Sequence, residues 1–339
     1  MPLASIQKVL SLTPIPGADA IECAHVLGWD CVVKKGEFKV GDLGVYIEID
    51  SIVPDVPQFE FLRSKHFRVK TIRLRGQLSQ GLFMPRAETA QSLPEGFDVT
   101  DLLMVKKYEK EIPAELRGTV KGTRPSFIPK TDEERIQSCK HVLDEIRDLP
   151  VYITTKCDGS SMTAYYKLGE PMSEGEFGVC SRNMELKEDE NNAFWKVAKA
   201  LNLPEKMKAF GKSIAIQGEL CGPGIQKNPM GLSEPTLYGF NVVYLDGSGY
   251  ADFSQMAQIF DELGVTPAPL LTSNVKLSDY LHSEPTTENV VAAADGKYAN
   301  GSPREGIVIR PMNETYSPTL KGRMSFKAVS NVYLEKVEK

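Results

Sequence analysis

Through its first 105 residues the chain holds no helical repeat: its apolar runs are short, they alternate, and Gly, Pro or Asp punctuates them. Ile6 to Leu10, Ile21 to Val26, Cys31 to Val33, Gly44 to Ile49, Phe67 to Leu74 and Gly81 to Met84 read as strands, divided by turns such as Pro14-Ile15-Pro16-Gly17 and Val40-Gly41-Asp42. Short strands at this density predict a small β-barrel over residues 1–105. Residues 106–129 then turn polar and rich in breakers, with Lys106, Lys107 and Lys110 beside Pro113, Gly118, Gly122, Pro125 and Pro129, and read as a linker.

From 130 to 339 strands and helices mix. Thr131 and Glu134 have capping-box spacing, and Ile136, Cys139, Leu143 and Ile146 repeat at helical intervals up to Asp148-Leu149-Pro150, which predicts a helix there. Further helices are predicted over about 190–201 and 252–263, with strands over 151–155, 177–182, 213–220, 237–245 and 305–310. Without strict βαβ alternation the fold class is α+β, antiparallel sheets with flanking helices.

Composition narrows the function classes. A net charge of −5 is not that of a protein dominated by nucleic-acid phosphates, so any such binding must come from a local patch. One candidate is the window holding Arg63, Lys65, Arg68, Lys70, Arg73 and Arg75, which contains no acid and is interleaved with Phe59, Phe61 and Phe67. The six cysteines are scattered without a Cys-x-x-Cys pair, against both a disulfide framework and a zinc knuckle. The four histidines are isolated too, so a metal is expected to be held by oxygen. There is no apolar run of about 18 residues and no basic-then-apolar leader, which predicts a soluble protein, cytoplasmic or otherwise intracellular.

Chemistry concentrates after residue 150. The run Val151 to Thr155 leads into Lys156-Cys157-Asp158-Gly159, and a strand is a rigid mount for a nucleophilic amine. About one chain in ten of this length would carry Lys-x-Asp-Gly by chance, so the pattern needs company. Arg182 ends a strand and offers a fork of donors to a phosphate, although alone it reads as an exposed strand-end arginine. Glu219 lies in an apolar strand, where an unpartnered acid is costly. Phe240 offers a face to a base, and judged alone reads as a core residue. Glu305 leads another apolar strand, and Lys327 follows Phe326 on a short one.

Lys156-Cys157-Asp158-Gly159, Ser181-Arg182, Gly218-Glu219-Leu220, Tyr238-Gly239-Phe240, Glu305-Gly306-Ile307-Val308 and Ser325-Phe326-Lys327 resemble, in order and spacing, the motifs of the covalent nucleotidyltransferases, the polynucleotide ligases and capping enzymes. Ala18 to Pro54 resembles OB folds that bind tRNA and other oligonucleotides, and Pro125 to Gln137 with Arg73 to Gly76 and Ser79 to Leu82 resembles ATP-dependent RNA ligases with an N-terminal OB domain. The resemblance implies an OB domain over 1–105 that binds RNA, and an adenylyltransferase domain over 130–339.

It further implies Lys156 and Lys327 as catalytic residues, and Asp158, Gly159, Arg182, Glu219, Phe240 and Glu305 with both lysines around ATP. Mg2+ or Mn2+ would sit near Asp158, Glu219 and Glu305, mostly through water, and Mg2+ and Lys327 would lower the Lys156 pKa. RNA, with 3′-hydroxyl and 5′-phosphate ends in a nicked duplex, would lie on Arg63, Lys65, Arg68, Lys70, Arg73 and Arg75, with Lys130, Arg135 or residues of the OB domain orienting pyrophosphate.

Two departures stand out. Many relatives carry a lysine where this chain has Ser325, so Lys321 or Arg323 is expected to supply the charge. Only 12 residues follow Lys327, too few for a C-terminal OB domain, which favours the RNA branch. A GTP-dependent cap-type transferase, a DNA ligase, and an RNA- or tRNA-binding protein with an inactive second domain remain open alternatives.

Overall fold

The first strand, Ala4–Pro14, is long enough to serve two partners, and this shapes the N-terminal part of the protein. The structure is a computed structural model that describes residues 2–87, 90–108, 119–170 and 174–337; Lys110, Pro113 and Gly118 of the predicted linker lie outside them. The chain divides into two units: residues 1–111, 136–140 and 334–339 form the first, and residues 112–135 and 141–333 the second.

Strands of the first unit are β1 (Ala4–Pro14), β2 (Ile21–Val26), β3 (Trp29–Lys34), β4 (Leu43–Ile47), β5 (Ser51–Ile52), β6 (Arg68–Val69), β7 (Thr71–Leu74), β8 (Gln77–Gln80), β9 (Leu82–Met84) and β10 (Lys106–Lys107). β1 pairs with β4 through Ala4 to Lys8, and with β2 beyond a register shift between Val9 and Ser11. The result is a five-stranded antiparallel sheet in the order β3-β2-β1-β4-β9. It nearly closes on itself, because the Val32 amide donates to Ser79 Oγ (3.0 Å) and the Cys31 thiol to the Gln80 carbonyl (3.5 Å). Ile6, Val9, Trp29, Tyr46, Ile47 and Phe59 are buried in this unit, and each large apolar side chain so buried contributes about 1.5–3 kcal/mol.

The basic window is divided between elements. Pro57–Lys65 forms a 3-10 helix begun by Pro57, so Arg63 and Lys65 lie on it and not on a strand. Phe59 is fully buried, hence a core residue, whereas Phe61 is 61% exposed.

The second unit contains β11 (Val120–Thr123), β12 (Glu134–Arg135), β13 (Val151–Lys156), β14 (Ser160–Lys167), β15 (Glu176–Cys180), β16 (Met184–Leu186), β17 (Ile214–Cys221), β18 (Thr236–Tyr244), β19 (Gly249–Tyr250), β20 (Thr266–Pro267), β21 (Leu270–Val275), β22 (Gly306–Pro311), β23 (Tyr316–Ser317), β24 (Gly322–Arg323) and β25 (Phe326–Val329). Its helices are α1 (Val142–Ile146), α2 (Ala193–Ala200), α3 (Leu203–Phe210), α4 (Phe253–Leu263), α5 (Leu277–Leu281), α6 (Thr287–Ala294) and the start of α7 (Asn331–Val337). One sheet runs β11-β16-β15-β14-β17-β18-β19, with β20 beside β18, and the other runs β12-β25-β22-β13-β21. Trp195 and Met207 from α2 and α3, and Ile259 and Phe260 from α4, pack onto Ile214, Ile216 and Val242 of the first sheet. This is the α+β arrangement of antiparallel sheets with flanking helices.

The helix expected from Thr131 to Ile146 does not form as one piece. Glu134 and Arg135 pair in parallel with Phe326 and Lys327, Ile136–Ser138 makes a 3-10 turn, and only Val142–Ile146 is α-helical. The four periodic apolar residues are all buried, but Ile136 and Cys139 belong to the first unit and Leu143 and Ile146 to the second. One straight helix cannot serve two cores, so tertiary burial overrides the local capping pattern.

Candidate active site

β13 is the rigid mount that its sequence suggests. It lies between β21 and β22, and Val151, Tyr152 and Ile153 are at most 1% exposed. Its last residue, Lys156, pairs with Gly306, which sets Glu305 beside it: Lys156 Nζ stands 2.7 Å from Glu305 Oε1. Cys157, Asp158 and Gly159 then carry the chain from one sheet to the other, where β14 begins. Gly159 is required by contact with the chain itself, since a Cβ there would come within 2.2 Å of the Leu220 carbonyl oxygen. A Cβ at Gly306 would lie 2.1 Å from the Ala328 carbonyl oxygen, so two glycines let the strands bearing the charged residues close up.

Glu219 reaches the same place from β17, between Ser161 and Tyr238 of the neighbouring strands. Burial, with Glu305 and Asp158 close by, pushes its carboxyl up to about 8 against the pull of Lys156. Burial by itself would lower the Lys156 pKa, but Glu305, Glu219 and Asp158 outweigh it and hold the amine above its usual value. The depression expected at Lys156 occurs at Lys327 instead: burial, Arg135 and Lys156 bring Lys327 down to about 8. Carboxylates surround one lysine and cations the other, which is why two neighbouring amines shift in opposite directions.

Asp158, Glu219 and Glu305 outnumber the single lysine they share, which suits a divalent cation. Among the described residues no group of three or more His, Cys, Asp or Glu is arranged to hold a metal directly. Carboxylate oxygens are donors that a hard cation such as Mg2+ takes.

Arg182 is half-exposed and donates to Asp132 Oδ1 at 2.6 Å. Phe240 sits at a β-bulge: Gln217 pairs with Asn241 and Gly218 with Gly239, so Phe240 is the extra residue. Bulges re-aim side chains, and this one leaves the ring partly exposed with the Arg310 guanidinium 5.8 Å from its centroid.

The charge beside Ser325 comes from neither residue expected to supply it. Lys321 is exposed, and Arg323 is engaged by Glu314 and by Asn241 Oδ1 (2.6 Å). Arg310, 3% exposed, donates instead to Ser325 Oγ (2.7 Å), Glu133 Oε1 (2.9 Å) and the Phe240 carbonyl (3.1 Å). Two tyrosines were also not foreseen. Tyr298 Oη donates to the Lys156 carbonyl (2.9 Å) and accepts from the Glu305 amide (3.1 Å), while Tyr333 Oη donates to Asp158 Oδ2 (2.6 Å). No local pattern marks either, because Lys156 lies 142 residues from Tyr298 and Asp158 lies 175 from Tyr333.

In the first unit, half of the basic window is already neutralised. Arg63 bonds to Asp55 and Glu60, Arg68 to Asp50 while stacking on Tyr108 at 3.7 Å, and Arg73 to Glu335. The window has no acid of its own, yet folding brings four carboxylates to it. Lys65 and Arg75 are exposed and Lys70 partly so.

A family model of the OB-fold domain matches residues 3–86, and one described as RNA ligase matches residues 149–329. The chain belongs to the RNA ligase family. Among solved structures, a variant of Naegleria gruberi RNA ligase with AMP and Mn is 38% identical, with 99% of each chain covered and a TM-score of 0.87. A second variant, with ATP and Mn, is 38% identical with both chains fully covered and a TM-score of 0.87. The same ligase with pyrophosphate is 38% identical, with 100% of this chain and 99% of that chain covered and a TM-score of 0.86. Among curated proteins none matches. No helix among the described residues of this RNA ligase is long and apolar enough to cross a membrane.

Proposed function

We propose that Lys156 of this ATP-dependent RNA ligase is the residue that takes up AMP. The observation that carries the assignment is the lysine's setting, at the end of a buried strand, 2.7 Å from Glu305 and among three carboxylates with Lys327 near. The Nζ lone pair attacks the α-phosphorus of ATP, the bond to pyrophosphate breaks, and an N–P bond forms. Glu305 Oε1 is the nearest acceptor for the proton that Nζ must lose. A 5′-phosphate oxygen of RNA then attacks the same phosphorus and releases the lysine, and a 3′-hydroxyl finally displaces AMP to join the strands.

Lys327 stabilises charge on the α-phosphate while protonated. Asp158, Glu219 and Glu305 would hold Mg2+ or Mn2+, and the ion's charge would favour the free amine at Lys156 and offset the phosphate. Arg182 holds the ribose or phosphate side once released from Asp132, Glu219 the ribose, Gly159 the close approach of the main chain, and Phe240 the adenine face. RNA lies on the first unit, where Lys65, Lys70 and Arg75 meet phosphate more readily than Arg63, Arg68 and Arg73. The ends joined are a 3′-hydroxyl and a 5′-phosphate in a nicked duplex, as the motif resemblance implies. Six free, buried cysteines suit an intracellular, reducing setting.

Incubation with α-labelled ATP and magnesium tests the assignment. Label is expected on the wild-type protein and absent from Lys156→Ala; label on that variant, or from GTP in preference to ATP, would sink it.

A further inference from the structure

The ladder between β13 and β22 runs in register from Val151↔Pro311 to Lys156↔Gly306 and stops there. One residue further on, the Lys156 carbonyl and the Glu305 amide do not meet each other; both meet the Tyr298 hydroxyl. The hydroxyl uses its hydrogen toward one strand and its lone pair toward the other, so it is an inserted rung. A phenylalanine would fit the same space and could do neither.

We propose that Tyr298 is a positioning residue for lysyl-AMP formation, its hydroxyl setting the spacing between Lys156 and Glu305; this rests on the reading of Lys156 as nucleophile. The ring is only 6% exposed, in a cluster with Cys157, Cys221 and Met230. The loop that presents it is closed by Tyr298 amide to Ser302 carbonyl (2.8 Å), by Gly301 amide to Tyr298 carbonyl (2.9 Å) and by a bridge between Lys297 and Pro303. Asn300 Nδ2 fastens that loop to the Pro229 carbonyl (3.0 Å).

Glu305 is fixed from its other side too. The Ser330 amide donates to its carbonyl (2.9 Å), and the neighbouring Arg304 guanidinium is pinned by the carbonyls of Ala293, Ala294 and Asp295. Of these groups Tyr298 alone is bonded to both Glu305 and Lys156. The amine must meet the α-phosphorus in line while its proton leaves toward Glu305, and an error of about 1 Å in such a geometry costs roughly 100-fold in rate. The sealing of an RNA end that already carries AMP does not use the amine, so the two steps separate the role of Tyr298 from a general contribution to folding.

The test is Tyr298→Phe, with wild type alongside. Single-turnover lysyl-AMP formation at saturating ATP is expected to fall about 30-fold, with KM for ATP within about twofold and sealing of a pre-adenylylated strand within about threefold. Lysyl-AMP formation at the wild-type rate, or an equal fall in both steps, overturns the inference. Asn300→Ala loosens the same loop without removing the hydroxyl and is expected to leave the ratio of the two steps unchanged; a changed ratio points to the loop and against the hydroxyl. If Tyr298→Phe does not fold, 3-fluorotyrosine at this position keeps the ring while making the hydroxyl a stronger donor and weaker acceptor. A rate change above about twofold confined to lysyl-AMP formation supports the proposal, and no change overturns it. A wild type that forms no lysyl-AMP removes the underlying reading as well, an outcome distinct from failure of the Tyr298 variants alone.

Discussion

In the basic window of the first unit most cations stand at the surface, with Arg68 partly buried, and three of them lean on carboxylates: Arg63 on Asp55 and Glu60, Arg68 on Asp50, and Arg73 on Glu335. In the second unit Arg310 is buried and Lys156 and Lys327 are partly buried, and burial together with charged neighbours displaces the pKa of each. Exposed charges are screened by water and salt, so the surface acts as a sum of weak terms in which a paired arginine counts for little. Buried and partly buried charges are screened much less, so the carboxylates and cations beside an amine decide which way its pKa moves. Binding a long polyanion needs the first kind of charge, and covalent chemistry needs the second.

After the complete loss expected at Lys156, the largest effect should come from Lys327. Its replacement by Ala is expected to slow lysyl-AMP formation on the order of 100-fold or more, the scale of losing one charge stabiliser, as read by the single-turnover label assay. Its pH dependence has a defined sign. In the nucleotide-free protein Lys327 carries its proton below about 8 and loses it above, so its support of the α-phosphate fades as pH rises through that value. Lys327→Arg, which keeps its charge, should hold a larger share of its own maximum above pH 8 than the wild type does; parallel alkaline limbs would count against the role.

Glu219 offers a sharper contrast, because stability and activity should move apart. An unfolded glutamate ionises near 4.5, whereas the folded one keeps its proton up to about 8. The folded state therefore binds more protons in this window, and the stability Glu219 provides below 4.5 is lost as pH rises toward 8. Glu219→Gln removes that loss, so without divalent cations near pH 7.5 the variant should melt about 2–4 °C above wild type. With magnesium it should form lysyl-AMP more slowly. A variant that melts lower at this pH would show that the carboxyl is not held protonated.

The smallest effects should lie on the first unit. Removing Lys65, Lys70 or Arg75 is expected to lower the salt slope of RNA binding by about 0.7–0.9 each if each meets a phosphate. Removing Arg63 should change it less, since its charge is already answered by Asp55 and Glu60. Equal slopes for both sets, measured by titrations over a range of salt, would erase the distinction between the arginines paired to carboxylates and Lys65, Lys70 and Arg75.

What was legible in the sequence was local. Alternating runs marked most strands of the first unit but fewer than half of those in the second, where β14 and β21 went unread, and the motif around Lys156 announced itself because a strand, a lysine, an acid and a glycine are consecutive. The helix predicted from Thr131 to Ile146 failed because periodicity reports that residues are buried without saying in which core. Arg310 and Tyr298 were missed for a related reason: a hydrogen bond to a main-chain group far along the chain leaves no repeat or spacing behind.

By itself, then, the sequence determined the alternation that makes the strands, the two glycines without which the strands could not close up, and the order of the charged residues that mark the family. The tertiary structure decided which acids reach the basic window, which arginine stands beside Ser325, which lysine is raised and which is lowered, and that a tyrosine completes the ladder at the nucleophile. These depend on distance and burial, and electrostatic and hydrogen-bond energies are functions of position in space, which the order of residues along the chain does not contain.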